Sequence, residues 1–218
     1  MQMKITTKFK LFPKETFQPN NDCDLLPYYY RPLIGNLYCY RIQQGLSLLS
    51  PPYETVLEFG YGSGLLLPTL ATISSKLYGI DIGTDSTAVT SCLKKINVSA
   101  ILYENDLLEM DFKDNAFDLI VAFSIFEHIN DCRKILQKMF HILKPNGRLL
   151  VGMPRVDKNM ARLFSLIGFD TIEQHHVTSY KSFLNDCRGA FILEKQAKIF
   201  PFLPSSMGLY FNMLLKKA

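Results

Sequence analysis

Five apolar runs of strand length alternate with helix-period stripes through the middle of this chain, and that alternation limits its fold more than any other feature. The runs fall at 55–59, 76–82, 100–103, 117–123 and 148–153. Between them, Ala88, Val89, Cys92, Leu93 and Ile96 form one stripe, and Ile135, Leu136, Met139, Phe140 and Leu143 form another. Each stripe repeats at i, i+1, i+4, i+5 and i+8, which gathers its apolar side chains on one helix face. The second is predicted to stop at Lys144-Pro145-Asn146-Gly147, where proline and glycine end a helix. Strands that are apolar almost throughout belong to a parallel sheet covered on both faces. Right-handed crossovers make that sheet a doubly wound α/β fold.

The ends of the chain read differently. Before residue 50, Tyr38, Ile42, Leu46 and Leu49 fit one amphipathic helix behind the aromatic run Pro27-Tyr28-Tyr29-Tyr30-Arg31-Pro32. After residue 154, Met160, Leu163, Phe164 and Ile167 predict a short helix, and Tyr180, Phe183, Leu184 and Cys187 another. Strands near 190–199 and 209–215 are expected to close the sheet as a hairpin across Pro204-Ser205-Ser206. The 218 residues suit one domain of about 150 residues with an appended segment, so residues 1–50 are expected to cap a domain over 51–218.

Composition narrows the class further. With 48% hydrophobic and 20% charged residues the chain is an ordinary globular one, which excludes disorder and collagen-like repeats. A net charge of +4 is too mild to argue for a nucleic-acid surface. Lys4, Lys8, Lys10 and Lys14 precede the first acid, Glu15, so a weak peripheral contact with an anionic membrane is the most that the basic ends suggest. The five cysteines are scattered without a C-x-x-C pair, which indicates neither a disulfide framework nor a zinc site. No stretch has the length of a membrane span or the apolar core of a signal peptide. A reduced, cytoplasmic setting is expected.

The stretch Val56-Leu57-Glu58-Phe59-Gly60-Tyr61-Gly62-Ser63-Gly64 runs an apolar strand into glycines at alternate positions. Such a turn lets a ligand approach the backbone, because no Cβ stands in the way. A dinucleotide turn needs its third glycine at position 65, which is Leu65, and a phosphate-binding P-loop needs a lysine that the loop lacks. An acid, Glu58, stands just before the glycines and favours a cationic ligand. The second strand ends in Asp81 and the third in Glu104-Asn105-Asp106-Leu107, so three successive strands bring acids to the carboxyl edge of the sheet. Open α/β sheets bind ligands at that edge. Asp81 can accept from ribose hydroxyls, Asp106 can accept from an adenine amino group, and Phe123 at the end of the fourth strand can border the ring. A ribose and an adenine joined to a positive centre without phosphate describe S-adenosylmethionine.

Val56 to Gly64, Leu77 to Asp81, Asn105-Asp106 ahead of Phe117-Asp118-Leu119-Ile120-Val121-Ala122-Phe123, and Leu143-Lys144-Pro145-Asn146-Gly147-Arg148-Leu149 together resemble the class I S-adenosylmethionine-dependent methyltransferases, in their small-molecule branch. The resemblance covers about residues 54 to 153. It implies a Rossmann-like, mostly parallel seven-stranded sheet with an antiparallel last strand. It also implies that Glu58, Gly60, Tyr61, Gly62 and Gly64 meet the methionine end, that Asp81 holds the ribose, and that Ile82, Asp106, Leu107 and Phe123 flank the adenine. Tyr61 stands where many relatives carry a small residue, so its ring is expected to narrow the methionine pocket.

Methyl transfer from a sulfonium needs alignment above all, and a base only where the acceptor carries a proton that must leave. His128, in Phe126-Glu127-His128-Ile129 after the fourth strand, is the expected base, although the same turn can serve packing alone. Glu127 reads as the acid that opens the next helix. Ser124 replaces the first acid of a metal-binding E-x-x-E-H pattern, so no metal is expected. Tyr30, His175, His176 and Tyr180 are expected to contact the acceptor, with residues 155–185 shaping its pocket. Ser50-Pro51-Pro52-Tyr53 copies a motif of DNA amino-methylating enzymes but abuts the first strand, so nucleic acid is not the expected partner. The resemblance thus implies methyl transfer to an oxygen or nitrogen of a small-molecule or lipid-like acceptor. Two other readings stay open: a non-catalytic S-adenosylmethionine-binding sensor or subunit, and a nicotinamide dehydrogenase.

Overall fold

The computed structural model describes residues 7–20, 24–154, 177–199 and 210–218. Seven strands form one sheet in the order β3-β2-β1-β4-β5-β7-β6. They are β1 (Tyr53–Phe59), β2 (Ser74–Asp81), β3 (Ile101–Glu104), β4 (Phe117–Phe123), β5 (Leu143–Pro154), β6 (Phe191–Lys198) and β7 (Tyr210–Lys217). The first five run parallel, and β7 lies antiparallel between β5 and β6. The sheet is the doubly wound one read from the alternation. The turn expected at residues 204–206 and the helix expected over 160–167 lie outside the described residues.

Side chains alternate across each strand, and that alternation builds two cores. Val56, Leu77, Leu119, Val121, Leu150 and Leu214 face one side, where α2 (Ile34–Leu46), α3 (Leu67–Ala71) and α4 (Ser86–Lys95) cover them. Leu57, Ile80, Ile120, Leu149, Val151 and Met213 face the other, under α5 (Cys132–Ile142) and α6 (Tyr180–Asp186). A four-residue helix, α1 (Leu26–Tyr29), precedes α2. In α5, Ile135, Leu136 and Met139 of the expected stripe are buried, each contributing about 1.5–3 kcal/mol by leaving water, while Phe140 is half-buried and Ile142 joins the buried face. Asp85 caps α4 by accepting the Ala88 N–H at 2.9 Å. Ile42 and Leu46 of α2 share one core with the sheet, so the boundary drawn at residue 50 crosses packed side chains.

Leu143 departs from its expected place. The helix ends at Ile142, and Leu143 already pairs with Phe117 as the first residue of β5. Residues 144–147 then loop out, with Asn146 at φ 63°, before Arg148 rejoins opposite Leu119. The proline and glycine end the helix as predicted, but they do so inside an irregular strand.

Candidate active site

The chain leaves β1 through Gly60 and Gly62, at φ 79° and 49°, a region that L side chains rarely adopt. Their surroundings differ. A Cβ on Gly60 would strike the Ile125 side chain, whereas a Cβ on Gly62 would meet nothing within 4 Å. The loop therefore presents bare backbone to open space at Gly62. Asn20 reaches in from the N-terminal segment and donates through Nδ2 to the Gly62 carbonyl at 2.6 Å.

Asp81, at the end of β2, accepts the Gly62 N–H at 2.7 Å. Burial raises its pKa, and the hydrogen bond from Gly62 pulls it back. Glu58 is buried one strand away, and its Oε2 has no hydrogen-bond partner. Burial, seconded by the charge of Asp81, pushes the Glu58 carboxyl well above the usual range. An uncompensated buried carboxyl is costly, which marks Glu58 as a group waiting for a cationic or hydrogen-donating partner.

A crevice of about 420 Å³ opens beside these acids at the carboxyl edge of β1, β2 and β4. Its floor is Phe59 and Gly60, and one wall carries Asp81, Ile82, Asn105, Asp106 and Leu108. Ile125, His128, Ile129 and Ile135 form the other wall, with Asp131 and Lys134 beside them. Ile82 is 67% exposed, an apolar surface left uncovered at the crevice mouth. Asp106 accepts the Leu108 N–H at 2.9 Å, which fixes the turn after β3.

Several expected contacts lie elsewhere. Leu107 is fully buried in the core, and its neighbour Leu108 lines the crevice instead. The Phe123 ring packs against Gly45 of α2 and Gly152 of β5, on the sheet face opposite the crevice. Tyr61 turns into the same core against Gly79, so its ring does not narrow the crevice. Tyr30 donates its hydroxyl to the Phe12 carbonyl at 2.8 Å. Tyr180 stacks on Phe211 at 4.3 Å and accepts from Gln196 Nε2. Neither tyrosine lines the crevice. His175 and His176 lie outside the described residues. His128 is exposed on the short turn Phe126–His128.

A second polar group lies where α2 crosses the ends of β4, β5 and β7. Arg41, buried on α2, donates to Ser124 and Tyr29, and Ser124 Oγ lies 3.1 Å from the Tyr210 hydroxyl. Glu127, the acid in the first turn of the short helix Phe126–His128, is buried. Asn212 Nδ2 donates to the Arg41 carbonyl at 3.0 Å. Sequence reasoning missed Arg41, Tyr210 and Asn212, whose one signal was a lone arginine beside the apolar stripe of α2.

Acids at the carboxyl edge, a bare glycine turn and the 3-2-1-4-5-7-6 strand order define a class I methyltransferase fold. Sequence comparison gives the family: its profile, described as a methyltransferase domain, matches residues 33–187, and the chain belongs to it. The chain is similar to a ubiquinone biosynthesis O-methyltransferase of Pseudomonas paraeruginosa, with 27% identity over 56% of this chain and 53% of that one. It is also similar to phosphoethanolamine N-methyltransferase 2 of Caenorhabditis elegans, 30% identical over 47% of this chain and 24% of that one. These alignments span about half the length of such relatives or less. Among solved structures, the N-methyltransferase NodS of Bradyrhizobium japonicum, in complex with S-adenosyl-L-homocysteine, superposes with a TM-score of 0.65. That superposition covers 90% of this chain and 93% of NodS at 19% identity, and it bears on the fold.

Proposed function

We infer that the chain transfers a methyl group from S-adenosylmethionine to an oxygen or nitrogen atom of a small-molecule or lipid-like acceptor. The convergence of Glu58, Asp81 and Asp106 on a glycine turn without a cationic side chain carries this reading, since it suits a cation and repels a pyrophosphate. The residues fit the cofactor. The unpartnered Glu58 carboxyl and the open face of Gly62 suit its methionine end, Asp81 suits its ribose, and Ile82, Asp106 and Leu108 suit its adenine. When bound, it supplies an electrophilic methyl on a positively charged sulfur.

The protein's own task is then alignment and dehydration, which raise the effective concentration of the acceptor. The turn after β4 faces the expected line of attack, and His128 on it is the proposed proton acceptor. The tyrosines around Arg41 favour an acceptor with an apolar or aromatic body. Tyr30, His175, His176 and Tyr180 stand as proposed acceptor contacts. The printed activities of the relatives, one on oxygen and one on nitrogen, agree with this range. Among the described residues no helix is long and apolar enough to cross a membrane.

Calorimetry with S-adenosylhomocysteine and with NAD tests the cofactor, and tritiated-methyl transfer into a small-molecule extract tests the reaction. Binding of the first ligand alone, with label incorporated, is the expected result. NAD binding in its place would return the chain to the dehydrogenases, and binding without incorporation from any extract would make it a sensor.

A further inference from the structure

Two side chains from distant parts of the chain hold the peptide groups on either side of Gly62. The Gly62 N–H donates to the Asp81 carboxylate at 2.7 Å, and the Gly62 carbonyl accepts from Asn20 Nδ2 at 2.6 Å. A peptide group is planar, so the soft backbone rotations of a residue are its φ and ψ alone. The first contact fixes the plane before the Gly62 Cα, and the second fixes the plane after it. Together they set both angles of a residue that sits at φ 49° with no Cβ to restrict it.

Asn20 is itself held in place. Its N–H donates to Asp24 Oδ2 at 3.0 Å, and Asp24 Oδ1 accepts the Leu26 N–H at 2.8 Å, which ties Asn20 to the start of α1. Three positions earlier, Phe17 is 1% exposed and its ring borders Gly64. Further back, the Phe9 N–H donates to Gln43 of α2 at 2.8 Å and the Lys10 N–H to Thr69 of α3 at 3.2 Å. The one regular element of residues 7–20 is a single turn, Lys14–Thr16, so these anchors rather than a backbone ladder seat the segment. Gln43, Thr69 and the Phe17 pocket already fasten it. The Asn20 contact falls instead on the residue that presents bare backbone to open space.

We propose that Asn20 is a positioning residue for the cofactor: it sets ψ of Gly62, holds the glycine turn in its binding conformation before the ligand arrives, and couples cofactor binding to the order of residues 7–20. The proposal rests on the methyltransferase reading and adds to it a residue that acts through Gly62 rather than by touching the ligand. A turn fixed in advance loses less conformational freedom on binding, which favours affinity. The coupling is reciprocal, so a ligand that prefers the fixed turn must also stabilise the seated segment.

The test measures S-adenosylhomocysteine binding to the full chain by calorimetry, and follows hydrogen–deuterium exchange by mass spectrometry with and without that ligand. Asn20→Ala removes the side-chain donor but keeps the backbone N–H that Asp24 accepts. Its affinity is expected to fall about tenfold. Asn20→Asp, nearly the same size but without a donor at neutral pH, is expected to fall at least as far. The ligand is expected to slow exchange over residues 7–20 in wild type and to leave it unchanged in Asn20→Ala, an effect that a purely structural fastening does not give. Wild-type affinity in either variant, or equal slowing in wild type and Asn20→Ala, overturns the proposal. So does the absence of slowing in wild type, which decides the matter should the variants not fold. A wild type that fails to bind S-adenosylhomocysteine loses the methyltransferase reading, whereas one that binds it with an affinity indifferent to Asn20 loses the positioning role alone.

Discussion

The Asp81 carboxylate accepts the backbone N–H of Gly62 at 2.7 Å, so the acid ending β2 and the turn leaving β1 are held as one unit. Removing that carboxylate takes away both the brace of the glycine turn and the proposed ribose acceptor. Asp81→Ala is expected to weaken S-adenosylhomocysteine binding by about 1–3 kcal/mol, read by calorimetry. Asp81→Asn separates the two roles, because its side-chain oxygen can still accept from Gly62. An affinity equal to wild type in Asp81→Ala would contradict the assignment.

Gly62 offers a sharper distinction between folding and binding. Alanine there must adopt φ near 49°, which costs about 1 kcal/mol, but its Cβ meets no neighbour. Gly62→Ala is therefore expected to fold, with a modest loss in urea-denaturation stability and a fall of about tenfold or more in S-adenosylhomocysteine affinity. Gly60→Ala should behave in the opposite way. Its Cβ would collide with the Ile125 side chain, and that overpacking costs about 1–3 kcal/mol of stability. Equal losses of stability in the two variants would show that Gly62 does not face open space.

The sheet was legible because strand and helix periods differ, and the glycine turn was legible because three successive strands bring acids to the same edge. What the sequence did not reveal was orientation. Leu107 and Leu108 are adjacent, and only the turn after β3 decides which one is buried. Phe123 ends β4 as expected, yet strand alternation points its ring at Gly45 and Gly152, away from the crevice. Arg41, Ser124, Glu127 and Tyr210 were hidden for another reason. Their cluster joins distant positions that only the antiparallel insertion of β7 brings together, and no local spacing announces it.

His128 carries the prediction with the largest kinetic effect. It lines the crevice from the turn Phe126–His128 and is exposed there. As the group that takes the acceptor's proton, its loss in His128→Ala should slow turnover by about 10²–10⁴ while S-adenosylhomocysteine affinity holds. The check is a single-turnover measurement beside calorimetry. A rate near wild type would leave His128 as a wall of the crevice and nothing more.

Glu127 makes a prediction about stability that needs no substrate. Burial pushes its carboxyl up to about 8, against the pull of its own backbone N–H and of Arg41. Arg41 from α2, Tyr210 from β7 and Cys132 from α5 are the titratable or charged groups around it. Unfolded, the same carboxyl titrates near its ordinary value of 4.5. Between those values the folded chain holds a proton that the unfolded chain has released, so stability must fall as pH rises, by up to about 1.4 kcal/mol per unit. Below the lower value both states are protonated and the contribution is complete. Glu58 acts in the same direction. Glu127→Gln removes one of the two protons from the balance. Urea denaturation from about pH 5 to about pH 8 should therefore show wild type losing more stability than the variant, by on the order of a few kcal/mol. Parallel profiles would mean that Glu127 is ionised in the folded chain, held by a cation closer than Arg41 stands.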